Sequence, residues 1–187
     1  EAQGARALRV PVVVYLGATR YAEFHVDLVI DLAMTGVPEE VEPLLPVDVP
    51  GLVCVPYRAY PLVDHIADKL CALNETHPRA DGTLEGSTRY RDLADIVVFA
   101  HTSEPDAASL DVAIRSELGR RGLALPARFG VPGAANWRAG YARVARDVPG
   151  LVERDLTAAM ATASSFVDPV LAGHARGRWS RSKLSWG

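Results

Sequence analysis

The chain has 187 residues, 49% of them hydrophobic, with a mean hydropathy of +0.06 and a net charge of -3 at pH 7. That length supports the core of one domain or two small ones, and the slight acidity excludes a surface that is basic all over, so any nucleic-acid contact needs a local patch. No apolar run reaches the length of a membrane span and no signal peptide is visible, while Cys54 and Cys71 form no CxxC pair, so buried thiols in a reducing cytoplasm are expected.

Residues 10–16 form a short apolar, β-branched run that reads as a buried strand. Gly17 to Tyr21 turns the chain. Residues 24–32 then alternate: Phe24, Val26, Leu28, Ile30 and Leu32 share the core face, while His25, Asp27, Val29 and Asp31 share the other. An antiparallel hairpin is the natural pairing. Periodicity leaves open whether the polar face is solvated or lines a cleft, and one His with one Asp is a weak metal signature. Residues 35–50 read as a loop and 52–55 as a short strand.

Residues 62–73 predict an amphipathic helix, with Leu62, Ile66, Leu70 and Leu73 in its stripe and Pro61 just before it. Asp64 and Asp68 fall on the solvated side. Lys69 falls at the border of the stripe, where its stem can lie along the core with its ammonium at the edge. The chain has 18 arginines and only two lysines, Lys69 and Lys183, so the use of a compact point charge here is notable.

Residues 74–87 read as a polar loop, with Ser87 or Thr88 as a cap. The next helix, 89–101, buries Leu93, Ile96, Val97 and Ala100. Asp95 lies opposite that stripe, Asp92 on its flank, and Arg89 nearer its edge. Further helices are expected at 105–120, ended by Gly122, and at 134–148, with Trp137 and Tyr141 as core. Residues 151–171 form one long helix or two short ones. From residue 174 a basic tail carries Arg176, Arg178, Arg181, Lys183, Trp179 and Trp186; it is either disordered or able to contact RNA by charge and stacking. The architecture is α+β, a β-rich first third followed by a helical bundle.

Three ordered segments resemble the AbiEii/AbiGii family of nucleotidyltransferase toxins: Phe-His-Val-Asp-Leu-Val at 24–29, Tyr-Pro-Leu followed by Asp-His-Ile-Ala-Asp-Lys-Leu within 60–70, and Arg-Tyr-Arg-Asp-Leu-Ala-Asp-Ile at 89–96. The last two look like the family's lysine motif and its Arg-x-(Lys/Arg)-Asp-x-x-Asp motif. Pro132, Trp137 and Tyr141 resemble its closing region, and the likeness spans residues 10–173, the family's C-terminal two-thirds. It implies a partial polymerase-β-like nucleotidyltransferase core of antiparallel strands (1–60), a helical domain (61–173) and the basic tail (174–187). It implies a toxin of a bacterial toxin–antitoxin and phage-defence system that transfers nucleotides from an NTP, with Mg2+, to an RNA, tRNA being the expected target, under control of a cognate antitoxin.

By the same resemblance Lys69 contacts the triphosphate, Asp92 acts beside it as a partner that orients it or as part of the catalytic set, Asp27 takes a metal-binding carboxylate position, and Arg89 and Arg91 contact the nucleotide or pair with aspartates. The family's Gly-Ser and Asp-x-Asp motif is missing here; Gly86-Ser87 before Asp92 and Asp95 imitates it, but the aspartates come too soon and are spaced x-x. The chain opens at Glu1 almost directly into a strand, so the motif is expected upstream. Two alternatives stay open: a truncated or degenerate homologue that binds nucleotide, RNA or a partner without turnover, and a helical module in which Lys69 and Asp92 are a structural tie.

Overall fold

The computed structural model describes residues 6–30, 32, 34–43, 50–51, 53–78, 81–82, 84–131 and 134–187. They divide into two compact units, Glu1–Ala33 and Met34–Gly187. The fold is α+β: five helices with small antiparallel two-stranded sheets among the described residues.

The first unit is a hairpin of β1 (Arg6–Leu16) and β2 (Thr19–Ile30). Gly17, at φ 60°, supplies the left-handed residue of its tight turn. The register sets Leu8, Val10 and Val12 opposite Leu28, Val26 and Phe24, so the apolar side chains share one face as the alternation predicts. That face was expected to be core, yet Phe24 is 50% and Ile30 52% exposed. Two strands cannot enclose a core, and among the described residues no third strand joins them in the sheet. Asp31 lies outside the described residues.

The second unit holds the core. It begins with β3 (Glu39–Val41) paired to β4 (Tyr57–Ala59), where a loop and a strand at 52–55 were expected. Residues 53–55 are irregular and Leu52 lies outside the described residues. Three-residue strands are too short to show a period of two. α1 (Leu62–Asn74) and α2 (Tyr90–Thr102) follow the predicted stripes: Ile66, Leu70 and Leu73 on one, Leu93, Ile96 and Val97 on the other, are fully buried. Between them β5 (Thr76–Pro78) pairs with β6 (Leu84–Gly86), inside the predicted loop. Ser87 is not the cap of α2. Its hydroxyl accepts from the Arg89 N–H at 3.3 Å, and Arg89 takes the cap position.

Asp106 caps α3 (Ala107–Arg121) by accepting from the Ser109 N–H, and Gly122, at φ 65°, ends it. α4 (Ala134–Ala145) buries Trp137 and Tyr141. Asp155 caps α5 (Leu156–Leu171), which resolves 151–171 into a single helix that starts late.

The tail is folded. β7 (Trp179–Ser180) pairs with β8 (Ser185–Trp186). Trp179 is 1% exposed and donates its indole N–H to Ala100 O at 2.8 Å; Trp186 donates to Phe166 O at 2.9 Å. The two indoles and Phe166 form an aromatic cluster. Stacking on RNA through Trp179 is thereby corrected: the aromatic surface that would carry it closes the helical core instead. Cys71 is buried, and burial pushes its thiol up to about 12, whereas Cys54 is exposed, against expectation.

Candidate functional site

The site is built on the seam between α1 and α2. Lys69 leaves the border of the α1 stripe, and its stem carries the ammonium to α2. There Nζ donates to Asp95 Oδ2 at 2.6 Å and to Asp92 Oδ1 at 3.3 Å. Positions 92 and 95 are three apart on one helix and so are neighbours on its surface. The side chains of Lys69, Asp92 and Asp95 are 12%, 6% and 23% exposed. Arg89 Nε stands against Asp92 Oδ2, and Arg91 Nε is 3.3 Å from Asp95 Oδ1; both guanidiniums are exposed. Asp92 Oδ2 is itself buried, and Arg89 meets it as an ion pair without the alignment of a hydrogen bond.

The result is a chain of alternating charge, Arg91, Asp95, Lys69, Asp92, Arg89: three cations on two anions. Around Lys69 alone the balance is negative, and the two arginines make it positive. An ammonium has three N–H donors, and the described carboxylates accept from two. One of its three N–H groups therefore has no acceptor among the described residues. The first turn of α2 adds its own positive end to this side, which stabilises Asp92 there.

One turn before Lys69, His65 packs edge-on to Phe99 of α2 and to Tyr60 (ring centres 5.2 and 6.2 Å). Burial, and then the Lys69 charge, hold the His65 imidazole below its usual range, so its ring is neutral at neutral pH. Burial, with Asp64 nearby, pushes the Tyr60 phenol up to about 12.

Two further aspartates of α1 are not on a solvated face. Asp64 is 4% exposed and accepts from the backbone N–H of Thr35 and Gly36, each at 2.9 Å, and from the Thr35 hydroxyl at 2.8 Å. It ties the entering chain to the start of the helix that carries Lys69. A side chain at Gly36 would strike Pro61, because a Cβ added there would lie 2.7 Å from Pro61 Cβ. Asp68 pairs with Arg121 of α3, which also holds Glu75 and Glu117 at 2.5 Å each. Burial pushes Glu117 up, but the guanidiniums of Arg120 and Arg121 outweigh it and its carboxyl lies below the usual range.

Of the residues singled out in the sequence, Lys69, Asp92, Arg89 and Arg91 come together. Asp27 lies in the other unit, exposed on β2 opposite Arg9. Arg9 grips both its oxygens, Nε to Oδ1 at 2.7 Å and Nη2 to Oδ2 at 2.9 Å, and holds its carboxyl below the usual range. Both of its oxygens thus meet a guanidinium in an exposed, solvent-screened pair, and no three His, Cys, Asp or Glu side chains among the described residues cluster to hold a metal. Asp95 is the member that pattern reading placed on the far side of α2. The available signals were its i,i+4 spacing from Arg91 and its place as the last aspartate of the Arg-x-(Lys/Arg)-Asp-x-x-Asp segment.

No helix among the described residues is long and apolar enough to cross a membrane. Neither the curated proteins nor the solved structures contain a match to the chain. The family model described as nucleotidyl transferase AbiEii toxin, type IV toxin–antitoxin system, matches residues 3–174. With nearly the whole sequence matched, the chain belongs to the AbiEii nucleotidyl transferase toxin family of type IV toxin–antitoxin systems, which implies a nucleotide substrate and an antitoxin partner.

Proposed function

We propose that this protein transfers nucleotides from an NTP to an RNA, tRNA being the expected acceptor, as a cytoplasmic, antitoxin-controlled toxin in phage defence. The observation that supports this reading is the Lys69 ammonium, held between two carboxylates with one donor to spare. In phosphoryl-type transfer the protein's main task is to place positive charge on the phosphates and to fix their position. In this reading Lys69 offers that charge, and Arg89 and Arg91 offer two exposed guanidiniums to the same oxyanions. Asp92 acts beside Lys69. Family membership suggests a divalent metal, but the described residues do not assemble a site for one. The assignment of Asp27 to metal binding therefore stands on the resemblance alone.

The test is labelling of total tRNA by radiolabelled NTP with magnesium, using the intact gene product. The expected result is transfer that falls at least a hundredfold in Lys69→Ala and in Asp92→Asn while both variants keep the wild-type circular dichroism spectrum. Asp27→Asn should abolish transfer as well if the resemblance carries through. Absence of transfer by the intact wild-type protein favours the second reading, a homologue that binds without turnover. Asp27 held by Arg9 is the observation on its side.

A further inference from the structure

We propose that Asp95 is the positioning residue that fixes the Lys69 ammonium, with Asp92 as its weaker second contact. This rests on reading Lys69 as the phosphate-contacting group. Asp95 Oδ2 lies 2.6 Å from Nζ, the length of a strong charge-assisted bond, against 3.3 Å for Asp92 Oδ1. Asp92 also meets Arg89 with its other oxygen, so its charge is shared with a cation of its own helix. Asp95 does more than pair along α2. Its two oxygens link Arg91 on one side to Lys69 of α1 on the other.

The geometry explains why the lysine needs two carboxylates. A four-carbon stem rotates freely unless its head is held. Two acceptors three residues apart on one helix fix two of the three N–H directions, and the third direction is then set. With Asp95 gone, Lys69 keeps a single long contact and its third donor no longer points one way. Helix pairing with Arg91 alone would give Asp95 only the small effect of an exposed i,i+4 pair.

The chain's two lysines make the test direct. In the 187-residue chain, lysine labelled with 13C at Cε and 15N at Nζ gives two side-chain signals, and exposed Lys183 is the internal reference. In the wild-type protein the two Cε protons of Lys69 should be inequivalent and those of Lys183 averaged. Asp95→Asn should average Lys69 to the Lys183 pattern, Asp92→Asn should leave it inequivalent, and Asp95→Glu should restore it in part. If Asp95→Asn does not fold, Asp95→Ser is read in the same way. In the tRNA assay Asp95→Asn should raise the KM for NTP about tenfold, as expected for one lost charge-assisted bond. Lys69 signals unchanged in Asp95→Asn, or averaged by Asp92→Asn instead, would overturn the proposal. The spectroscopic arm needs no turnover, so a wild-type protein without transfer activity sinks the reaction and leaves the positioning role to be decided by the lysine signals.

Discussion

His65 shows how a single neutral ring can be made to report on the seam. Burial and Lys69 lower its pKa, while Asp68, Asp95 and Asp92 pull it up by less. In the unfolded chain the same imidazole titrates near 6.5, at about its ordinary value. Between the folded and unfolded values the unfolded chain binds more protons, so stability rises with pH. The contribution of His65 is complete above about pH 6.5 and is lost as pH falls from there through the folded value. His65→Phe keeps a ring beside Phe99 and removes the titration. Its unfolding free energy, from urea titrations between pH 7 and 5, should therefore decline less than that of the wild type. Parallel declines would show that His65 takes no part. Carboxyls held low in both proteins, such as Glu117, respond further into acid and cancel in the comparison.

Helices α1 and α3 meet through charge as well as through apolar stripes. Arg121, 12% exposed at its side chain, is the common partner of Asp68 and Glu75 and of Glu117 from its own helix. Removing the guanidinium leaves three carboxylates half-buried around a gap. Loss of one partner from a buried ionic group costs about 3 kcal/mol or more, so Arg121→Ala should be destabilised by about that amount in urea unfolding. Arg121→Lys should recover only part of it, because a point charge cannot serve three carboxylates as a planar fork does. A loss under about 0.5 kcal/mol would mean that the cluster is a solvent-screened surface pair. Neither partner set was legible in advance. Asp68 was readable as a polar helix position, but its partner lies 53 residues away on an element whose own packing direction decides which arginine arrives.

At the scale of the whole molecule, the buried hydrophobic residues among those described run from Ile66 to Trp179, all within the second unit. The C-terminal hairpin completes that core: Ala107 N–H donates to Gly177 O at 2.9 Å and Trp179 N–H to Pro105 O at 3.0 Å, joining the tail to the start of α3. A chain of residues 34–187 should therefore melt in one cooperative transition by circular dichroism, because it carries its own core. Trp179→Ala in that chain should lose about 4 kcal/mol, the usual cost of emptying a buried aromatic site, and a gradual, non-cooperative melt of the parent fragment would refute the claim of independence.

Local pattern carried a good deal of this protein. The helical stripes of α1 and α2, the end of α3 at Gly122 and the alternating strands of the first hairpin follow from side-chain periodicity and from a C-terminal glycine next to the turn it closes. Lys69 and Asp92 were singled out together by the likeness to the family; helical pattern alone placed Lys69 at the border of one stripe and Asp92 on the flank of another. Three features depended on the assembled chain. Asp95 became a partner of Lys69 because the lysine stem reaches across the seam, a reach that a helical wheel does not contain. Asp64 became a buried tie because the backbone N–H groups it accepts from arrive from residues 28 and 29 positions earlier. The tail tryptophans became core because Ala100 and Phe166 present carbonyls that only the packed helices bring to them. Each is a contact between distant residues, and the strength of such a contact is set by where the rest of the fold places its partner.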